Sequence, residues 1–363
     1  MLENNSISRR SFVRSGLALG GLSTLALPTL LRAQDARSLK VGTYGGYFQA
    51  SFDQHIFPDF TAATGIEIES IGVPTSASWL VQLQAAAKAN QAPADVSMIA
   101  QVERLKGANA GLWAGLDRAK MPNIANLPDH FVATNAEGGV TGVGAVAWFI
   151  TLVTNTETYP TAPESWKALW DPANAGKIGL LALAHSSFLL EITATTHFGG
   201  TAVLDTEEGV LQVMAKIAEM KPNVQLWYRD EGQFQQALET GEIPMGEYYH
   251  DVTGLAAAEG KPVRSTFPAE GGVQDSGSWC VSKASTKTEE AQVFIDYMSQ
   301  AEIQAKLSRN VGTAPTVRKE LLDLTPEEFA AVSSEIAPIL PRYDLYEQKG
   351  DWLAEKWAEM IAS

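Results

Sequence analysis

One apolar run constrains this chain more than any other stretch. Val143 to Val153 is rich in Val, Ile, Trp and Phe, with Gly138, Gly139 and Gly142 before it and Thr154-Asn155-Thr156 after it. Short runs of this kind are buried strands. This one has about eleven residues where an ordinary strand has roughly five to six. At about 3.3 Å per residue it would reach some 35 Å. Such a strand either passes from one lobe into another or forms the long centre of a single domain, and the flanking sequence has to decide.

Before the run, the chain alternates. Leu39 to Thr43 is a short apolar strand that stops at Tyr44-Gly45-Gly46-Tyr47, and Phe48, Phe52, Ile56 and Phe60 follow at helical spacing, with a break expected at Pro58. Ile66 to Ile71 alternates as a half-buried strand, Trp79 to Lys88 is an alanine-rich helix behind a serine cap, Asp95 to Ile99 is a third strand and Val102 to Ala110 a further helix. Strand and helix in strict alternation build a mostly parallel sheet. In such sheets ligands sit beyond the C-terminal ends of the strands, which singles out Tyr44, Tyr47 and Gln101.

After the run the alternation resumes. Strands are predicted at Gly176–Ala184, Asn223–Tyr228 and Gly241–Tyr249, and helices at His185–Leu190, Val203–Met220 and Glu231–Glu239. Ser186 and Ser187 at a helix start offer hydroxyls and free N–H groups to an anion. From Glu270 to Val281 a glycine-loosened segment leads back into a strand, followed by a helix carrying Ala291, Phe294, Ile295 and Met298. Two crossings imply two α/β lobes with a cleft between them, a design that closes on ligands by hinge bending. The expected lobes are residues 39–145 with about 276–315, and about 146–275 with about 316–363. Trp79, Trp113 and Trp148 are assigned to packing.

The ends and the charge narrow the function. Arg9-Arg10-Ser11-Phe12, an apolar stretch from Leu17 to Leu31 and then Arg32-Ala33 have the order of an export signal and resemble the twin-arginine type, so residues 1–33 are expected to be removed and the protein to be periplasmic. Loss of four arginines and one glutamate with that segment takes the formal net charge from −15 to −18, which repels nucleic acid. Cys280 is the single cysteine, so no internal disulfide forms. The five histidines show no metal-ligand spacing, and neither a metal nor a cofactor is expected.

Spread over nearly the whole mature length, the segments Phe60-Thr61 to Gly65-Ile66, Ala94-Asp95-Val96, Ser165 to Trp170, Pro222-Asn223-Val224, Gly241-Glu242-Ile243, Pro268 to Gly272 and Gly312 to Pro315 follow in a characteristic order. In these the chain resembles the periplasmic solute-binding proteins of ABC importers, and among them the spermidine/putrescine-binding group. The resemblance implies a monomer that binds a small solute between two lobes and delivers it to a membrane permease driven by an ATPase. It also implies pocket roles for Tyr44, Tyr47 and Tyr249. The acidic anchors of that group are missing: Ser187 stands where a glutamate would grip an amine, Gly277 where an aspartate would, and Thr313 replaces a tyrosine.

These departures lead to an expectation about charge. Asp275 is left to pair with an amine, and Arg229 brings a cation with a fork suited to a carboxylate, unless it pairs with Asp230, Glu231 or Glu247 instead. A zwitterionic or amine-plus-acid solute is therefore expected rather than a plain polyamine. Two other functions match parts of the sequence less well. Tyr248-Tyr249-His250 resembles the tyrosine pair of ferric-binding proteins, but neighbouring strand residues face opposite ways. A secreted enzyme using His185 and Ser186 or Ser187 lacks the strand-turn-helix elbow such nucleophiles need.

Overall fold

The computed structural model describes residues 37–74, 77–89 and 91–362, without the side chains of Tyr47 and Ala77; the expected export signal lies outside the described residues. The long apolar run is the strand β5, Val140–Asn155, once β1 (Ser38–Tyr44), β2 (Glu67–Val73), β3 (Val96–Ala100) and β4 (Val132–Thr134) have passed. Its sixteen residues, nearly all buried, extend about 50 Å. The strands β6 (Ile178–Leu181), β7 (Val224–Tyr228), β8 (Met245–Tyr249), β9 (Val263–Thr266) and β10 (Val273–Val281) follow.

All ten join one mixed sheet, in the order β2-β1-β3-β10-β5-β8-β6-β7, with β4 and β9 paired to the two ends of β5. The parallel pairs are β1 with β2 and β3, and β6 with β7 and β8. Both crossing strands are antiparallel to their neighbours. β5 pairs with β10 up to Ile150 and with β8 from Ile150 on. The apolar core divides at the same place: Phe149 belongs to one cluster with Leu39, Val41 and Trp279, whereas Ile150 belongs to a second with Leu180, Val213 and Trp357. β10 divides likewise, with Val273 in the second cluster and Trp279 and Val281 in the first. One long strand and one returning strand therefore stitch two cores together.

Helices cover the sheet: α1 (Tyr47–His55), α2 (Phe57–Thr64), α3 (Ala77–Ala89) and α4 (Gln101–Asn109) in the first half, and α5 (Ala184–Ser187), α6 (Leu189–Phe198), α7 (Glu207–Ala218), α8 (Glu231–Thr240) and α9 (His250–Ala258) in the second. After β10 come α10 (Thr288–Met298), α11 (Ala301–Val311), α12 (Pro326–Ala330) and α13 (Tyr343–Ala362). The break expected at Pro58 is the α1–α2 junction, because Pro58 lies in the first turn of α2, where its missing N–H is harmless. Residues 241–244 are not strand: Gly241 ends α8 with φ 75°, a left-handed cap that glycine takes without strain. Trp79 and Trp113 are packed as expected, their indole N–H groups donating to Ser97 Oγ and to the Arg104 carbonyl. Trp148 packs against the first cluster, as expected, and also lines a cavity.

Candidate functional site

β1, β3 and β8 end at Tyr44, Ala100 and Tyr249, and these three residues lie on the wall of one cavity of about 500 Å³. Tyr44 comes from one half of the sheet and Tyr249 from the other. Gly46, at φ 70°, turns the chain sharply into α1 and so brings Phe48 onto the same wall. The Tyr44 ring stands edge to face against Phe48 at 5.8 Å and Trp148 at 6.4 Å. Its hydroxyl is buried, close to Gly277 of β10, with no hydrogen-bond partner among the described residues. Burial above all, and then the charges of Asp275 and Glu103, hold that hydroxyl neutral by raising its pKa well beyond the phenol range.

Two carboxylates share the wall. Glu231, at the mouth, accepts a 2.9 Å hydrogen bond from the Tyr249 hydroxyl on Oε1. Asp251, at the start of α9, has Oδ1 buried with no partner among the described residues; burial raises its pKa, against backbone hydrogen bonds from Val252 and from its own N–H that favour the charged form. Ser186 of α5 faces this cavity, while His185 beside it faces a second one of about 590 Å³. That second cavity is lined by Glu103 and Lys106 of α4, by Arg229 just beyond β7 and by Asp351 of α13. Arg229 has no ion pair or hydrogen bond among the described residues. The three acids near it in sequence are engaged elsewhere: Asp230 caps α8 through the Gln233 N–H, Glu231 holds Tyr249, and Glu247 is turned inward onto the Leu181 N–H and the Tyr228 hydroxyl.

Aromatic and acidic groups gathered from both halves, at strand ends, describe a ligand cleft; sequence comparison says of what kind. The family pattern for bacterial extracellular solute-binding proteins matches residues 55–333. The chain belongs to that family. Along its length this solute-binding protein is similar to the gamma-aminobutyric acid-binding protein of Pseudomonas aeruginosa, with 29% identity over 329 residues covering 89% of this chain and 88% of the relative. It is also similar to the spermidine/putrescine-binding periplasmic protein of Escherichia coli, with 21% identity over 212 residues, 56% of this chain and 57% of the relative. Among solved structures, an ABC transporter substrate-binding protein from Bradyrhizobium japonicum superposes with a TM-score of 0.75 at 23% identity, covering 90% of this chain and 99% of the other. The fold is that of the two-lobed periplasmic binding proteins, and the family binds solutes rather than catalysing reactions.

Other sequence-predicted site residues of this solute-binding protein have internal work. The Gln101 amide donates to Ser276 and Ser278 Oγ at 3.0 and 2.9 Å, and its carbonyl oxygen accepts from Arg104; it ties α4 to β10. Ser187 is fully buried, with its hydroxyl against the Ala184 carbonyl and the Leu189 N–H at 3.4 Å each. Asp275 accepts from the Tyr343 hydroxyl and the Ser276 N–H, both at 2.7 Å. Burial pushes its pKa up to about 6 against those two hydrogen bonds. Tyr47 opens α1. The Tyr248 hydroxyl donates to the Glu231 carbonyl, so the two neighbouring phenols do not present a free pair. Among the wall residues that the sequence did not point to are Phe48, Trp148, Glu231 and Asp251. Asp251 was within reach of the strand-end rule, two residues past Tyr249; Trp148 and Glu231 carried no local signal.

Proposed function

We propose that this protein is the periplasmic solute-binding component of an ABC importer, capturing a small amine-containing acid in the interlobe cleft and handing it to a membrane permease. The observation that carries this reading is the composition of two cavities, one on either side of the His185-Ser186 pair: aromatic rings and carboxylates in one, and in the other an arginine with no partner among the described residues. A guanidinium left unpaired beside a cavity suits a bidentate carboxylate, and the rings suit an ammonium. The similarity to a gamma-aminobutyric acid-binding protein points to the same ligand chemistry. Residues 39–145 with about 276–315 form the first lobe in this reading, and the remainder of the mature chain the second, with the hinge in β5 and β10. Export rests on residues 1–33.

Titration calorimetry of the mature protein with 4-aminobutanoate, putrescine, spermidine and an aminophosphonate tests the solute class. The amine-plus-acid solutes are expected to bind and the plain polyamines to bind at least about tenfold more weakly, a gap of about 1.4 kcal/mol. Arg229→Ala should weaken the acids and leave the polyamines unchanged. Submicromolar polyamine binding with none to the acids would overturn the reading.

A further inference from the structure

Glu247 lies in the middle of β8 and is 1% exposed, and among the described residues no lysine, arginine or histidine pairs with it. A buried carboxylate is costly unless a cation or proton meets it. The strands around it show what it does there. The ladder between β6 and β8 pairs Ile178 with Met245 and Gly179 with Gly246 and then stops, while β6 stays paired to β7 as far as Leu181 and Tyr228. β6 and β8 therefore part just before the ends that carry the site. The Leu181 N–H donates to Glu247 Oε1 at 2.8 Å, so a side chain takes over where the β8 backbone leaves off. From β7 the Tyr228 hydroxyl completes the span, 2.8 Å from Glu247 Oε2 and 2.9 Å from the Glu247 carbonyl oxygen.

A phenol has one hydrogen to give, and here two oxygens of one residue stand ready for it. With a proton on Oε2 every group is served: Oε2–H donates to the Tyr228 oxygen, the Tyr228 hydroxyl donates to the Glu247 carbonyl, and Oε1 accepts from Leu181. With that proton gone, the charged Oε2 draws the phenol hydrogen to itself and the carbonyl loses it. We infer that Glu247 is a positioning residue for the solute, a neutral acid that holds the ends of β6, β7 and β8 at a fixed separation. Arg229, which follows Tyr228, and Tyr249, on the same face of β8 as Glu247, are set by that separation. The inference rests on the amine-plus-acid solute proposed above and adds a pH dependence to it. Burial raises the Glu247 pKa to about 8, in agreement with the hydrogen count. The titratable groups around it are the phenols of Tyr228, Tyr248 and Tyr249 and the carboxylate of Glu231 on α8, which raises the pKa further; among the described residues β5, β6 and α5 turn none toward it. A new charge at Glu247 acts with opposite sign on the two ends of a zwitterion, so the strand-end geometry decides the effect on binding.

The test is titration calorimetry of 4-aminobutanoate with wild type, Glu247→Gln, Glu247→Leu and Tyr228→Phe, each shown folded by circular dichroism at about pH 6 and about pH 9, on either side of the Glu247 ionisation. Wild-type affinity is expected to fall about tenfold between the two. Glu247→Gln, whose amide donates to Tyr228 and accepts from Leu181 with no proton to lose, should stay within about threefold of its own acid-side value. The solute's own titration is common to both. Glu247→Leu, with neither bond, should bind about tenfold more weakly than wild type on the acid side. A structural role alone would lower melting temperatures without separating the pH profiles of wild type and Glu247→Gln. Should Glu247→Leu fail to fold, Tyr228→Phe opens the same loop from the other side and should lose about threefold. The proton is read without solute: the infrared difference spectrum of wild type minus Glu247→Gln should show the C=O stretch of a protonated carboxyl at the lower pH and lose it at the higher. Parallel pH profiles, or a difference spectrum without that stretch, overturn the inference and leave solute capture intact. No binding of 4-aminobutanoate to wild type at either pH overturns the solute reading and the positioning role with it.

Discussion

A side chain at position 277 would need space that Tyr44 already occupies: a Cβ there would stand 2.8 Å from the Tyr44 hydroxyl and 3.2 Å from Met98 Cγ. The obstacle is the far end of a ring, so Gly277→Ala is expected to displace Tyr44 from the cavity. The chain should remain folded, at a cost of about 1–3 kcal/mol, with solute affinity lost in calorimetry; unchanged affinity would show that the ring's position is immaterial. Glu247 carries a different residue-scale consequence. Burial, the larger cause, pushes its carboxyl from the ordinary 4.5 up to about 8, against the Leu181 N–H and Tyr228 hydroxyl that favour the charged form. The folded protein therefore retains a proton that the unfolded chain releases from about pH 4.5 upward, and the stability this gives is lost as pH rises toward about 8. Burial acts in the same direction on Glu191, raised to about 7. Glu247→Gln should melt higher than wild type at pH 8, by on the order of 2 kcal/mol, and the difference should fade at pH 5. Equal melting at pH 8 would contradict it.

At the scale of elements, the second half depends on how closely β6 and β8 approach. A Cβ on Gly246 would lie 2.2 Å from the Gly179 carbonyl oxygen and 2.5 Å from Phe234 Cζ, and one on Gly179 would lie 2.4 Å from the same ring. Phe234 in turn stacks on Tyr228 at 4.6 Å with only 4° between the planes. Two glycines thus let an aromatic pair lie flat on the strands, and β8 keeps the register that delivers Tyr249 to the cleft. Because the first contact at position 246 is backbone, the strand itself must move to accept a methyl group. Gly246→Ala is expected to destabilise by about 1–3 kcal/mol, seen as a lower urea midpoint, and to weaken solute binding with it. A normal midpoint would mean the strands have slack that these distances deny.

For the whole molecule, what matters is which described segments join the two cores. β5 changes core between Phe149 and Ile150, β10 between Val273 and Trp279, and α13 reaches back to α4 through the Asn109–Glu347 hydrogen bond of 2.9 Å. If the molecule closes by hinge bending, as proposed above, these two strands are where it would bend. Saturating solute should reduce the radius of gyration measured by solution X-ray scattering. A scattering curve indifferent to bound solute would rule out closure as the means of capture.

The sequence by itself determined the elements and their alternation. β5 was legible because an unbroken apolar run leaves no face for water, and the strand ends at Tyr44 and Tyr249 because glycines or a change of periodicity mark them. It also determined family membership, through many weak segments in a fixed order. The tertiary structure decided which side chains meet. Gln101 and Ser187 stand at strand-to-helix junctions, yet their polar atoms are spent on neighbours; Asp275 on a crossing strand is met by Tyr343, 68 residues away in the chain. Trp148 packs against the first core as expected, but that it also lines a cavity follows only from Tyr44, brought against it from a separate part of the chain. Periodicity reports which face of an element is apolar, because that is a local property of the backbone repeat. Which side chain lines which cavity depends on contacts between residues far apart in the chain, and no local pattern records them.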